Sequence, residues 1–181
     1  MIKEFNEKKL MVEAVKQHQS GFFKEAKDLY RAILTQNPEN SDAIFRLGTL
    51  ALQLQQYEKA VSYINQAIAL GPETASMHVN LGAAHRNLNQ YGQTLAAYEK
   101  AIQLDPLNSN AYYNKGRALQ TLDLADTTSE KLFDVNSSRL ARITEAGECY
   151  RRAIEINAKE NTLNLNVSDD VLAERKKKWK P

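Results

Sequence analysis

Residues 44–72 read IFRLGTLALQLQQYEKAVSYINQAIALGP, and residues 78–106 read HVNLGAAHRNLNQYGQTLAAYEKAIQLDP. The two stretches agree in kind along their length. Leu47-Gly48 stands against Leu81-Gly82, Tyr57 against Tyr91, Ala67-Ile68 against Ala101-Ile102 and Pro72 against Pro106. Pro38, Pro72 and Pro106 are each 34 residues apart. A period of that length means one supersecondary unit repeated, with neighbouring units stacked to bury a shared core.

The second half of each unit carries apolar residues at the spacing of a helix with one buried face. Ala60, Ile64, Ala67 and Ile68 fall at i, i+4, i+7 and i+8, the stripe of an amphipathic helix. The proline that follows cannot continue a helix, so it stops the stripe and turns the chain into the next unit. A first helix precedes each of these, holding Gly48, Gly82 and Gly116 at one repeated place. An interior helical glycine costs about 1 kcal/mol against alanine. Its recurrence therefore predicts close approach of the partner helix, with Ala26, Ala60, Thr94 and Ala146 as the small residues opposite. Phe23, Tyr57 and Tyr91 each follow a polar bend and are expected to pack into the elbow of a helix pair as core.

These residues resemble the tetratricopeptide repeat, whose pattern joins Leu-Gly in a first helix to Ala, an aromatic and Pro in a second. Leu47-Gly48, Ala60 and Pro72 fit it, as do Leu81-Gly82, Tyr98 and Pro106. The first unit has Glu13-Ala14 in place of Leu-Gly but keeps Gly21, Ala26, Tyr30 and Pro38. The resemblance covers about four-fifths of the chain. It implies an all-α, right-handed α-solenoid of about four helix pairs, over 1–157, with repeats near 7–40, 41–74, 75–108 and 109–158. A linker and capping helix are expected over 158–181.

The fourth unit is interrupted. Its second helix, marked by Ala146, arrives 18 residues later than the period requires, which places an insertion near 123–140. Either both helices are lengthened or a loop intervenes. Cap-forming residues such as Thr127, Glu130, Ser137 and Ser138 favour a short helix at 129–133 followed by a long helix from Ser138 to Asn157. Leu132 and Phe133 would then tuck onto the solenoid. Beyond it, Asn161 to Asn166 reads as irregular, and Ser168 as the cap of a last helix running to about Trp179. Val171, Leu172 and Trp179 would cover the final apolar face.

The 181 residues suit one domain. Charge is nearly balanced, with 24 Lys and Arg against 22 Asp and Glu, so no field for nucleic acid is expected. No apolar run is long enough for a membrane helix, and the charged start does not read as a secretory signal. A cytoplasmic location is expected. One cysteine, Cys149, excludes an internal disulfide and reads as a buried thiol. His78 and His85 are too far apart to share a metal unaided, and no phosphate-cradling glycine loop is present. The chain is therefore expected to be no enzyme, with no catalytic residue, no metal, no cofactor and no small-molecule substrate.

The resemblance implies that first helices line a concave face. The positions expected to point inward are Lys8, Met11, Val12, Val15 and His18 in the first unit, then Asp42, Phe45, Arg46, Thr49 and Gln53 in the second. The third offers Ser76, Val79, Asn80, Ala83, Arg86 and Asn87, and the fourth Asn110, Tyr113, Asn114, Arg117 and Thr121. Asn80 and Asn114 hold one repeated place, and an amide can pair with a peptide N–H and C=O at once. This is similar to the asparagine ladder of O-linked N-acetylglucosamine transferases, although Val12 and Arg46 interrupt it. Arg46, Arg86 and Arg117, with Phe45, Val79 and Tyr113 between them, suit an acidic peptide with apolar anchors. The lysines with which co-chaperones of this family clamp a terminal carboxylate are absent. The expected role is thus a scaffold that holds a protein or peptide segment. A targeting module of a larger enzyme and self-association through an end of the stack are alternatives.

Overall fold

The computed structural model describes the backbone over residues 2–126 and 135–178, with side chains over 6–122 and 138–161. The described residues form eight α-helices. The chain divides into two compact units, Met1–Asp105 and Pro106–Pro181. The first holds α1 (Ile2–Gln19), α2 (Phe23–Gln36), α3 (Ser41–Gln53), α4 (Tyr57–Leu70), α5 (Ala75–Asn87) and α6 (Tyr91–Leu104). The second holds α7 (Ser109–Asp126) and α8 (Val135–Lys178).

Within the first unit α1 packs on α2, α3 on α4 and α5 on α6, and each pair leans on the next through α2 with α3 and α4 with α5. Tyr30 and Ile33 of α2 are fully buried with Ala14, Ala43 and Leu47. Ile44, Ile64, Met77 and Leu81 carry the core onward through α3, α4 and α5. Pro38, Pro72 and Pro106 each stand two residues after the end of a second helix, at α2, α4 and α6. This is where the sequence puts the stop.

The turn inside each pair is fixed by one backbone device. Gly21, Gln55 and Asn89 all take positive φ, at 82°, 58° and 57°, and they recur with the 34-residue period. Around them the hydrogen bonds match. Gln56 N–H donates to Ala51 O at 2.8 Å and Gln55 N–H to Leu52 O at 3.1 Å. The same two bonds close α1 at Phe22 and Gly21, and α5 at Gln90 and Asn89. This is the Schellman ending, which satisfies the last orphan carbonyls of a helix with a left-handed residue. The first helices also start alike. Asn40 caps α3 through Ala43 N at 2.8 Å, Thr74 caps α5 through Met77 N at 3.4 Å, and Asn108 accepts from Ala111 N at 3.0 Å at the start of α7.

The repeated glycines are close-approach sites, but their neighbours are not the small residues expected. A Cβ on Gly48 would meet Ile64 Cγ1 at 2.8 Å, one on Gly82 would meet the Tyr98 ring at 2.6 Å, and one on Gly116 would meet the Tyr150 ring at 3.0 Å. Each neighbour lies one helical turn after the small residue at Ala60, Thr94 or Ala146. The glycine therefore makes room for a large side chain reaching across the pair. Thr94 is fully buried and donates its hydroxyl to Gln90 O at 2.9 Å, so it sits in the core without an unmet hydrogen bond. Phe23, Tyr57 and Tyr91 begin the second helices and are half-buried rather than core.

In the second unit α7 packs on α8, and Ala111, Ala118 and Leu119 of the one and Ala146, Cys149 and Ala153 of the other are buried. Cys149 is a buried thiol, as its helical setting suggests. Lys115 Nζ and Glu145 Oε1 pair at 2.7 Å across the two helices. The insertion is taken up largely by helix lengthening: α7 has 18 residues, and α8 already begins at Val135. The expected helix at 129–133, Leu132 and Phe133 included, lies outside the described residues, as does Trp179.

The tail corrects the sequence reading. No irregular linker follows Asn157 and no separate helix starts after Ser168, because α8 runs unbroken from Val135 to Lys178. Ala158 replaces the repeat proline, and no Gly or Pro occurs between Gly147 and Pro181. With no breaker, residues of only moderate helix propensity such as Asn161 and Thr162 continue the ladder already running.

Candidate peptide-binding groove

The expected groove residues fall in two units, and each unit is described by itself. In the first, an open hollow of about 470 Å³ lies on the α1–α3 side. Val15, His18 and Gln19 line it from α1, and Arg46, Thr49 and Gln53 line it from α3. Gly21 and Phe23, from the turn and the start of α2, complete it. Four of the wider inward-facing set, Val15, His18, Thr49 and Gln53, thus come together with Arg46.

Hydrogen bonding fixes the floor. His18 Nε2 lies 2.9 Å from Gln53 Oε1, and its Nδ1 lies 3.2 Å from the Tyr30 hydroxyl. Gln53 Oε1 can only accept, so a neutral His18 carries its proton on Nε2 and accepts from Tyr30 at Nδ1. The imidazole thereby ties α1 to α2 and α3. Burial pushes the Tyr30 phenol above its ordinary pKa, against the pull of the Arg46 guanidinium. The Phe23 ring meets His18 edge-on at 5.9 Å. Sequence reasoning placed Phe23 in the core and missed it here. Its only signal was its place immediately after the Gly21 turn, which swings the first residues of α2 back toward the end of α1.

Arg46 is partly engaged. Its Nε donates to Asp42 Oδ1 at 3.2 Å, one turn back on the same helix. A guanidinium has five N–H donors, so the bond orients the group and leaves its outer edge open. Thr49 donates to Phe45 O at 3.1 Å and accepts from Asn80 Nδ2 at 3.2 Å. That second bond joins α3 to α5, and the Asn80 side-chain oxygen has no hydrogen bond among the described residues. Val79, Ala83 and Arg86 are half-buried along α5. Arg86 has no ion-pair partner among the described residues.

In the second unit, Asn114 Nδ2 donates to Asn110 O at 2.9 Å within α7. Asn80 and Asn114 share a repeat position but use their donors differently, one between helices and one within its own. Tyr113 is exposed, its ring 5.7 Å from that of Tyr150, and the Arg117 guanidinium stands 5.9 Å above it. That stack suits cation–π attraction. The Tyr150 hydroxyl donates to Gln120 Oε1 at 3.3 Å, and burial raises its pKa.

Among the described residues, no cluster of three or more His, Cys, Asp and Glu side chains is placed to hold a metal. Nor is any helix of these residues long and apolar enough to cross a membrane. His78 is used structurally. Its Nε2–H donates to Glu73 Oε1 at 2.7 Å, while Lys100 Nζ meets Glu73 Oε2 at 3.3 Å, so Glu73 fastens the entry of α5 to α6.

Stacked helix pairs with a repeated Schellman turn and a first-helix face left open define a helical repeat solenoid. Four models described as tetratricopeptide repeat match residues 18–83, 75–108, 97–137 and 137–160. The chain belongs to the tetratricopeptide repeat family, whose members serve as protein-interaction modules. No curated protein sequence matches it. Among solved structures it is similar to MamA 41-end from Desulfovibrio magneticus RS-1, with a TM-score of 0.65 and 20% identity over 84% of this chain and 76% of that one. It is also similar to a Thermobaculum terrenum O-GlcNAc transferase mutant, with a TM-score of 0.68 and 26% identity over 84% of this chain but 27% of that one.

Proposed function

We propose that this chain is a non-enzymatic adaptor that holds an extended segment of a partner protein against its first helices. The α1–α3 hollow carries the reading, because it presents an apolar wall at Val15 and Phe23 beside the polar groups of Arg46, Thr49 and Gln53. The Asn80 carbonyl and the Arg86 guanidinium extend the same chemistry along α5. A segment bearing carboxylates and spaced apolar side chains fits these groups. In the second unit, Tyr113, Asn114 and Arg117 offer a comparable set on α7. No cofactor, metal or small-molecule substrate is part of this reading, and a cytoplasmic setting accords with it.

The test starts by capturing partners with the wild type and with an Arg46→Glu/Arg86→Glu/Arg117→Glu variant, then narrowing a captured partner to a synthetic segment. Binding should be about micromolar and should weaken with added salt. Titration should move the amide resonances of Val15, Thr49 and Asn80. If Arg86→Glu combined with Asn80→Ala leaves the affinity for that segment unchanged, the proposed groove is wrong.

A second reading is favoured by one observation. The chain matches about a quarter of the O-GlcNAc transferase mutant's length, so it could serve as the targeting region of a larger enzyme. Gene sequence on either side of these 181 residues decides it, since an adjoining catalytic domain would support this reading and flanking stop signals would reject it.

A further inference from the structure

A second, smaller cleft of about 170 Å³ lies away from the first-helix hollow, where α2, α3 and α4 meet. No residue lines both. Leu47, Leu50 and Ala51 give it a buried apolar floor, and Leu54 joins them with 41% of its surface exposed. Lys27 and Arg31 of α2 and Lys59 of α4 stand around that floor. Lys27 and Arg31 are one helical turn apart and share a face. The charge is one-sided, because no carboxylate lines the cleft. None of the three cations pairs with a carboxylate among the described residues; Lys59 Nζ donates only to the amide oxygen of Gln56, at 3.2 Å. The contrast within the same unit is clear, since Arg46 and Lys100 lie 3.2 and 3.3 Å from Asp42 and Glu73.

Three uncompensated cations around a leucine-floored cleft form an amphipathic receptor. Its volume is close to that of an apolar cavity of roughly 150 Å³ that admits a benzene ring, so it has room for one aliphatic side chain. We propose that this cleft seats a single leucine-like side chain of an acidic peptide segment, whose flanking carboxylates rest on Lys27, Arg31 and Lys59. The site would let the chain engage a second segment while the first-helix face is occupied. Affinity comes from the buried side chain, and the rim charges select an acidic sequence and speed its arrival.

The probe is a short capped peptide of glutamates around one central leucine, titrated into the isotope-labelled full chain. Amides of Leu50, Leu54 and Lys59 should shift on binding. Replacing the central leucine by serine should weaken binding by roughly tenfold or more, the loss expected for one buried aliphatic side chain. Lys27→Glu/Arg31→Glu should abolish the shifts, high salt should reduce them, and Arg46→Glu should leave them unchanged. Leu54→Asn, a change at a partly exposed wall, should weaken binding while circular dichroism stays that of the wild type. The proposal is overturned if the leucine and serine peptides bind equally, or if the shifts appear at Val15 and Thr49 instead. It is also overturned if no amide moves at millimolar peptide, or if a fatty acid such as decanoate binds the cleft more tightly than the peptide.

Discussion

Replacing Gly82 by alanine tests how the helix pairs are held together. In an unconstrained helix interior the change stabilises by about 1 kcal/mol. Here the new Cβ would lie 2.6, 2.8 and 2.9 Å from Cε1, Cδ1 and Cζ of Tyr98. The Tyr98 side chain is fully buried, so the ring cannot swing into solvent to make room. Overpacking of a dense core costs about 1–3 kcal/mol, and three ring atoms inside contact distance put this case at the upper end. Gly82→Ala should therefore destabilise by about 2 kcal/mol net, a fall in Tm of roughly 8 °C for a unit of this size. Urea and thermal unfolding followed by circular dichroism give the value. Gly92→Ala is the control, since a Cβ there meets nothing within 4 Å. It should be neutral or stabilise by up to about 1 kcal/mol. Adding Tyr98→Leu should cost less in the Gly82→Ala background than alone, because the two positions are coupled. If Gly82→Ala proves as stable as Gly92→Ala, the close-approach argument fails at all three repeated glycines.

Gln55 is an L-residue in a left-handed position that Gly21 and Asn89 fill in the neighbouring turns, so Gln55→Gly should stabilise by up to about 1 kcal/mol in the same unfolding assay. Glu73 is held below its ordinary pKa by its hydrogen bond from His78 and by Lys100. Its stabilising effect is full above the unfolded glutamate pKa of about 4.3 and is lost as pH falls through the lower folded value; Glu73→Gln should therefore flatten the acid limb of a stability–pH profile. Asn80→Ala removes the bond from α5 to Thr49 and should cost about 1 kcal/mol, measured by urea unfolding. Gly147 is exposed on α8 with nothing near its Cβ, so Gly147→Ala should gain about 1 kcal/mol in the thermal transition of the second unit.

Most of the helix pairing was legible because every unit carries its own punctuation. Pro38, Pro72 and Pro106 mark the ends of second helices. Gly48, Gly82 and Gly116 mark the contacts inside pairs. Two further signals lay in the same sequence: the caps at Asn40, Thr74 and Asn108, which went unread, and Gly21, Gln55 and Asn89, read as polar bends without their left-handed backbone. Gln55 hid the second series, because glutamine is not a residue whose type announces a positive φ. The tail misled for the opposite reason. Polar composition at Asn161–Asn166 resembles a loop, but polarity does not end a helix when no Gly or Pro intervenes.

The sequence by itself determined what repeats: paired helices, their length, their stops and the face that is buried. These are local and periodic properties, and a 34-residue register makes each unit evidence for the next. Only the tertiary structure decided how the candidate site is wired. It placed Phe23 beside His18, committed Arg46 to Asp42, gave Asn80 to Thr49 and Asn114 to its own helix, and left Lys27, Arg31 and Lys59 around Leu50 with no carboxylate partner among the described residues. Those outcomes depend on which group of a neighbouring turn or a neighbouring helix stands nearest, and a one-dimensional pattern fixes which face a residue occupies but not which partner reaches it first.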